Sequence, residues 1–317
     1  MATNPAPSRA SFTQTHHSTT YPYISPLKQN LHGKHVLITG AAHEDGVGYA
    51  TALAFARAGA SFIALADIHE IPSSLLTKVK NAAIEAGRAA EPLVFGSVVD
   101  ISSLESVQRL QEVVSREFQG RLDILVNNAA YMGSNKPLLE SDPDEYWRTW
   151  EVNVRGLFNM ARAFLPMLLA TRNTGAATGT DGDAGSCIMI NVSSSGALTV
   201  RPGGGSYRTS KLAVLRWTES LQAEYGDQGL LAFCVNPGAI KTRISEGVLP
   251  EGMRDRFPDR AEVAGDTIAW LAGERRGWLQ GRYVSCVWDM EELEGLRGSI
   301  EGGDLLKMGL MMGGLVA

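Results

Sequence analysis

The chain has 317 residues, 44% of them hydrophobic, with a formal net charge of −5 and a sequence pI near 5.7. Interspersed acidic and basic residues with a negative balance leave no electrostatic case for nucleic acid or an anionic membrane. No run reaches the ~18 apolar residues of a spanning helix, so small-molecule chemistry in the cytoplasm, with no membrane partner, is the expectation.

Residues 1–30 are rich in Ser, Thr, Pro and His. They have neither the apolar stretch of a secretory signal nor the arginines of a transit peptide, and a flexible arm is expected, in which 21–26 offers a docking or dimer contact. From His35 onward short apolar runs alternate with amphipathic segments. Strands are expected at 35–39, 61–67, 93–99, 124–127, 187–192, 230–235 and 282–287. Seven strands separated by helices describe an α/β fold: residues 31–289 form a single doubly wound Rossmann-type domain, a seven-stranded, mainly parallel sheet with helices on both faces.

Helix starts support these boundaries. Ser102 with Glu105, and Asp142 with Glu145 behind Pro143, both have capping-box spacing. The Gly, Thr and Asp rich stretch 171–186 reads as a flexible insertion. Residues 290–317 form a C-terminal extension, with a helix expected over 290–298 followed by a Gly and Met rich tail. Cys187, Cys234 and Cys286 stand singly in apolar runs and read as buried thiols of a reducing compartment, with no metal-ligand spacing.

The first strand enters a turn in which Gly40, Gly46, Val47 and Gly48 open an Ala-rich helix. Glycines there let backbone approach a pyrophosphate at the helix N-terminus. The second strand ends at Asp67, nineteen residues beyond Gly48, where a dinucleotide fold places the carboxylate that bonds the adenosine ribose. A carboxylate there repels a 2′-phosphate, which puts NAD ahead of NADP. Glu44 and Asp45, with no basic residue near them in sequence, push the same way; His43 and His69 stand close enough in sequence to touch a cofactor.

Tyr207 and Lys211 are one helical turn apart, so their side chains share a face. A tyrosine of ordinary pKa near ~10 is a poor base at neutral pH. A neighbouring ammonium, helped by an oxidised nicotinamide, favours the phenolate.

Together these motifs resemble the classical short-chain dehydrogenase/reductase family over residues 31–289. The glycine-rich start matches 39–48, and the adenine-contacting Asp after the third strand matches Asp100, followed by Ile101. The Asn-Asn-Ala-Gly signature appears as Asn127, Asn128, Ala129 and Ala130. The family Asn matches Asn153, its serine Ser194, thirteen residues before Tyr207, and its Tyr-x-x-x-Lys pair Tyr207 and Lys211. Its Pro-Gly-x-Ile-x-Thr motif matches Pro237, Gly238, Ile240 and Thr242.

The resemblance implies a catalytic set of Asn153, Ser194, Tyr207 and Lys211. Tyr207 would be the acid/base and Ser194 would hold the substrate oxygen. Lys211 would tune the phenol and bond the nicotinamide ribose, and Asn153 would hold a relay water. Cofactor contacts would come from Gly40, Gly46, Val47, Gly48, Asp67, Ile68, Asp100, Ile101, Asn128, Ala129, Ala130, Tyr207, Lys211, Pro237, Gly238, Ile240 and Thr242, and no metal is required. The expected reaction is interconversion of a secondary alcohol and a ketone by hydride transfer, with a small-molecule substrate and a homodimer or homotetramer. The alternatives are a redox-neutral epimerase or dehydratase and a non-catalytic NAD-binding sensor.

Two departures stand out. Five residues separate Gly40 from Gly46 where the family has three, similar to enoyl-acyl-carrier-protein reductases; those place six residues between tyrosine and lysine, and position 214 here is valine. The ending after the last strand also differs, with Trp288 in place of the usual turn residue. With the Gly-rich insertion, this ending is similar to reductases of fungal secondary metabolism.

Overall fold

Strand β1 (His35–Thr39) is buried along its whole length, and its side chains alternate between two apolar layers. Val36 and Ile38 join one layer, while Leu37 joins the other. The same alternation recurs in β2 (Phe62–Asp67), β4 (Ile124–Asn127) and β5 (Ile188–Val192), as a sheet covered on both faces requires. In the computed structural model, which describes residues 12–177, 185–249 and 252–310, these strands join β3 (Leu93–Val98), β6 (Leu231–Asn236) and β7 (Tyr283–Ser285). The order is β3-β2-β1-β4-β5-β6-β7 and every pairing is parallel. Strand order reverses between β1 and β4, which opens a crevice above their C-terminal ends.

Helices α1 (Val47–Arg57), α2 (Ser73–Glu85) and α7 (Ala261–Gly273) contribute to one apolar layer, and α3 (Leu104–Glu117) and α5 (Leu157–Ala177) to the other. Asp142 caps α4 (Pro143–Trp150) by accepting from Glu145 N at 2.8 Å. The expected Ser102 cap is displaced by one residue: Ser103 accepts from Ser106 N, while the Ser102 hydroxyl donates to Asp100 at 2.6 Å. Helix α5 continues to Ala177, so the expected insertion is helical over its first part; residues 178–184 lie outside the described residues.

The expected flexible arm is corrected over residues 12–30. Phe12 packs on Trp288 and Tyr23 on Trp270. The Tyr21 hydroxyl accepts from Met290 N at 2.7 Å, and His17 stacks on Tyr21 while pairing with Asp289 at 2.7 Å. Burying these aromatic rings offsets the entropy of ordering the segment. Residues 1–11 lie outside the described residues. The partner of the arm is the C-terminal extension, where the expected single helix divides into α8 (Met290–Gly295) and α9 (Arg297–Glu301). Beyond α9 the chain turns onto the edge of the sheet: Tyr283 N donates to Leu306 O at 2.9 Å, and the Arg282 guanidinium donates to the carbonyls of Ile300, Gly303 and Leu305. A sheet edge is thereby covered.

Candidate active site

At the crevice the ends of β1 and β4 are cross-tied. The Thr39 hydroxyl accepts from the backbone N–H groups of Asn128 and Ala129, both at 3.0 Å, and the Asn128 carboxamide donates to Thr39 O and Gly40 O, both at 2.9 Å. Gly40 has φ 71°, and a Cβ there would lie 2.8 Å from the Ala129 Cα. A Cβ on Gly48 would lie 2.3 Å from Gly40 O. Only glycine fits either position. Gly46 caps α1, whose first amides, Val47 and Gly48 among them, have no intrahelical carbonyl to meet. This cradle fits a pyrophosphate by shape and charge.

Asp67 ends β2 beside the cradle and is 7% exposed. One oxygen accepts from Ala42 N at 3.0 Å and the other from His69 N at 3.1 Å, which leaves lone pairs for ribose hydroxyls. Ile68 next to it is exposed, and His43 and His69 face each other at 5.6 Å between ring centroids. Glu44 is not isolated from positive charge as its local sequence suggests: Lys78, from α2, pairs with it. Asp100 accepts from the Ser102 backbone and hydroxyl and from Arg148 at 3.3 Å. Burial pushes its carboxyl up, but the Ser102 and Arg148 donors outweigh burial and hold it below the ordinary carboxylate range. Ile101 is buried, and Ala129 and Ala130 are partly exposed at the end of β4.

Ser194 lies just past β5, and α6 (Gly205–Tyr225) carries Tyr207 and Lys211. The Ser194 hydroxyl accepts from Gly196 N at 3.0 Å and, beside the Tyr207 phenol, pulls the phenol toward ionisation. Lys211 Nζ lies 5.8 Å from the centroid of the Tyr207 ring and donates to Val192 O at 2.8 Å. Tyr207 remains partly accessible, yet burial pushes its phenol up to about 12, against the pull of Ser194. Burial lowers the Lys211 ammonium to about 8. In the protein alone, burial outweighs the charge stabilisation of the phenolate expected from the spacing of the pair.

Asn153 sits in a widened helical turn, Glu151–Gly156, between α4 and α5; such π-type turns recur at functional sites. Its carboxamide exchanges both bonds with Tyr131, accepting from N at 2.8 Å and donating to O at 2.9 Å, and donates to Ser210 Oγ at 3.0 Å. Ser210 in turn donates to Tyr207 O at 2.8 Å. The side chain therefore braces the helix that carries the phenol.

The 237–242 loop follows β6. Gly238 has φ 107°, and a Cβ there would meet Asp259 at 2.7 Å and Val287 at 2.9 Å. Pro237, Ile240 and Thr242 are partly exposed beside the crevice. Two bracing residues carry no recognisable sequence signal. Asp259 accepts from Ala239 N at 2.6 Å, and Asn236 accepts from Ser195 N at 2.9 Å and from Gly238 N at 3.3 Å. The serine loop and the glycine loop are thus held by one carboxamide.

A doubly wound parallel sheet, a glycine cradle at its switch point and a Ser-Tyr-Lys cluster define a nucleotide-dependent oxidoreductase fold and site. The chain belongs to the short-chain dehydrogenase/reductase family. A family profile described as Enoyl-(Acyl carrier protein) reductase matches residues 40–284. Short chain dehydrogenase mpl6 of Monascus purpureus is 40% identical over 299 residues, covering 93% of this chain and 95% of that protein. A short chain dehydrogenase from Shigella flexneri complexed with NADP is similar in structure, with a TM-score of 0.65 at 27% identity, covering 82% of this chain and 99% of the other. An NADH-dependent reductase complexed with NAD also has a TM-score of 0.65, at 26% identity, covering 81% and 96%.

Proposed function

We propose that this enzyme interconverts a secondary alcohol and a ketone, with NAD(H) preferred over NADP(H). The observation that carries the reading is the grouping of Ser194, Tyr207 and Lys211, with the Lys211 ammonium 5.8 Å from the Tyr207 ring centroid, at the same crevice as the glycine cradle. A nicotinamide held at the cradle would supply or accept the hydride. In reduction Ser194 donates to the ketone oxygen and holds it against the phenol, and Tyr207 gives that oxygen its proton. In oxidation the phenolate removes the hydroxyl proton. Lys211 stays anchored through Val192 O with its charge toward the phenol, and Asn153 keeps α6 in register through Ser210.

Asp67 supports the NAD preference, because a carboxylate at the end of β2 beside the glycine cradle would repel a 2′-phosphate bound there. A place in fungal secondary metabolism is part of the same reading. A homodimer or homotetramer is part of the same reading; Trp147 on α4 is 63% exposed and Phe158 on α5 is 48% exposed, apolar surface suited to a partner subunit. Among the described residues no helix is long and apolar enough to cross a membrane.

A panel of cyclic and aromatic ketones and alcohols, assayed with each nicotinamide by its absorbance, tests the reaction. Stoichiometric oxidation of NADH with ketone loss is expected. Substrate conversion with no change in NADH would point to the redox-neutral chemistry of an epimerase or dehydratase. Cofactor binding with an unchanged biological effect in Tyr207→Phe would point to a sensor.

A further inference from the structure

Two abutments flank Gly238, and neither belongs to its own loop. Asp259 stands on one side. Its carboxylate accepts from Ala239 N at 2.6 Å, its own N–H donates to Ala239 O at 3.2 Å, and it pairs with Ile240 in a parallel bridge. Val287 stands on the other side, 2.9 Å from where a Cβ on Gly238 would lie. The course of the 237–242 loop is therefore set by residues 259 and 287.

Both abutments are held in turn by the N-terminal segment. His17 N donates to Val287 O at 2.8 Å, and His16 forms an antiparallel bridge with Trp288. Arg260, next to Asp259, donates its N–H to Ser18 O at 2.7 Å. Helix α7 starts behind Arg260 with no side-chain cap, so this outside acceptor fixes the backbone at the helix start. Burial pushes the Asp259 carboxyl up, while Ala239 N and the nearby His16 pull the other way.

The loop's place in the sheet says which part of a cofactor it would meet. It follows β6, which lies beside β5, and Asn236 ties it to the serine loop by accepting from both Ser195 N and Gly238 N. It thus borders the Ser194 and Tyr207 end of the crevice, whereas Asp67 ends β2 on the far side of β1 and β4. A dinucleotide lying across the crevice with its adenosine at Asp67 would bring its nicotinamide half against this loop.

We propose that residues 16–18 buttress the 237–242 loop through Val287 and Arg260, with Asp259 as the positioning residue that passes the restraint on, and that the buttress strengthens the hold on the nicotinamide half of the cofactor alone. The proposal rests on the reading of the crevice as a nicotinamide cofactor site. Its physical content is pre-organisation: a loop already held loses less freedom on binding.

Backbone hydrogen exchange in the cofactor-free protein tests the buttress by itself. His17→Pro and Arg260→Pro each delete one buttressing N–H from the full chain. Each is expected to speed exchange of the 238–242 amides by about tenfold, with β1 and β4 as protected as in the wild type. Calorimetric titration with NADH and with ADP-ribose, which lacks the nicotinamide, reads the two halves of the cofactor. In both variants and in Asp259→Ala, NADH is expected to bind about tenfold more weakly and ADP-ribose as in the wild type. Asp259→Asn keeps an acceptor for Ala239 N and should restore NADH binding. If the proline variants do not fold, Asp259→Ala against Asp259→Asn carries the test. Unchanged loop exchange in the folded variants, or equal weakening of both ligands, would overturn the buttress. A wild type that binds neither ligand would instead overturn the cofactor reading, and loop exchange would still decide the buttress.

Discussion

Around β1 and β2 the polar side chains spend their capacity on backbone: Thr39 on two amides, Asn128 on two carbonyls, Asp67 on Ala42 N and His69 N. Above β5 and α6 the pattern reverses. Lys211 gives one donor to Val192 O, the Tyr207 phenol has the Ser194 hydroxyl beside it, and Asn127 Oδ1 meets no described protein group. The first region is a rigid mould whose ligand contacts are backbone amides in fixed positions. The second holds hydrogen-bonding capacity that a substrate oxygen or a water can use. Rigidity where shape is read and unmet capacity where protons move are what pre-organised binding and acid/base chemistry respectively require.

The largest effect should come from removing the proton at the reactive end. Tyr207→Phe keeps the ring and is expected to lower kcat by about 10²–10⁴-fold, with NADH affinity by fluorescence titration unchanged. A matching loss of NADH affinity would show that the two regions are not separable. With the phenol up to about 12 in the protein alone, it is protonated at neutral pH. Reduction should therefore hold through neutrality, while oxidation, which needs the phenolate, should climb toward alkaline pH. The opposite slopes would assign the proton to another group.

Next in size is a change to the mould. In Gly48→Ala the new Cβ would meet Gly40 O, a backbone atom with no rotamer to yield. A cost of about 1–3 kcal/mol is expected in urea unfolding, together with weaker NADH binding and little change in kcat at saturation. A variant that binds NADH as tightly as the wild type would mean that the cradle is more deformable than its contacts imply.

The legibility of these regions divides along similar lines. All seven strands lie within a few residues of their expected places, because buried strands in a parallel sheet write long apolar runs into the sequence. The Asp142 cap was also legible, since its partner is local. The Ser102 cap was not: Asp100 captures that hydroxyl, and Ser103 takes the role. The glycines and the Ser194, Tyr207 and Lys211 spacing carry recognisable motifs. Asn236, Asp259 and the Lys78 partner of Glu44 are single polar residues joined only by folding. The docking of residues 12–30 was hidden for the same reason, since Phe12 and Tyr23 have no apolar period of their own and find Trp288 and Trp270 across the chain.

A smaller effect tests whether the mould also reads charge. Asp67→Ala is expected to narrow the preference for NADH over NADPH by about tenfold, near the 1.4 kcal/mol that one charged hydrogen bond contributes. It should also lower stability slightly, because Ala42 N loses its acceptor. The ratio of kcat/KM for the two cofactors measures this. An unchanged ratio would assign discrimination elsewhere, with the Glu44 and Lys78 pair at the rim the first place to look.

A last effect, confined to one side of neutrality, concerns an exception on the mould side. Asp266, in α7 behind α1, is 3% exposed and accepts from the Thr20 hydroxyl of the N-terminal segment. Burial pushes its carboxyl up to about 6, against the pull of Thr20 and Arg57. An ordinary aspartate titrates near ~3.9 in the unfolded chain. A folded value raised above the unfolded one gives a contribution fully present below the unfolded value and lost as pH rises through about 6. At neutral pH the folded protein therefore carries a buried charge that opposes folding. Asp266→Asn keeps an acceptor for Thr20 and removes that charge. It is expected to raise stability by about 1–2 kcal/mol above neutrality and by almost nothing near pH ~4, where the wild-type carboxyl is largely protonated in the fold. Urea midpoints at the two pH values measure the difference. An equal gain at both would trace the effect to packing against α1 and leave the mould without a titrating group behind it.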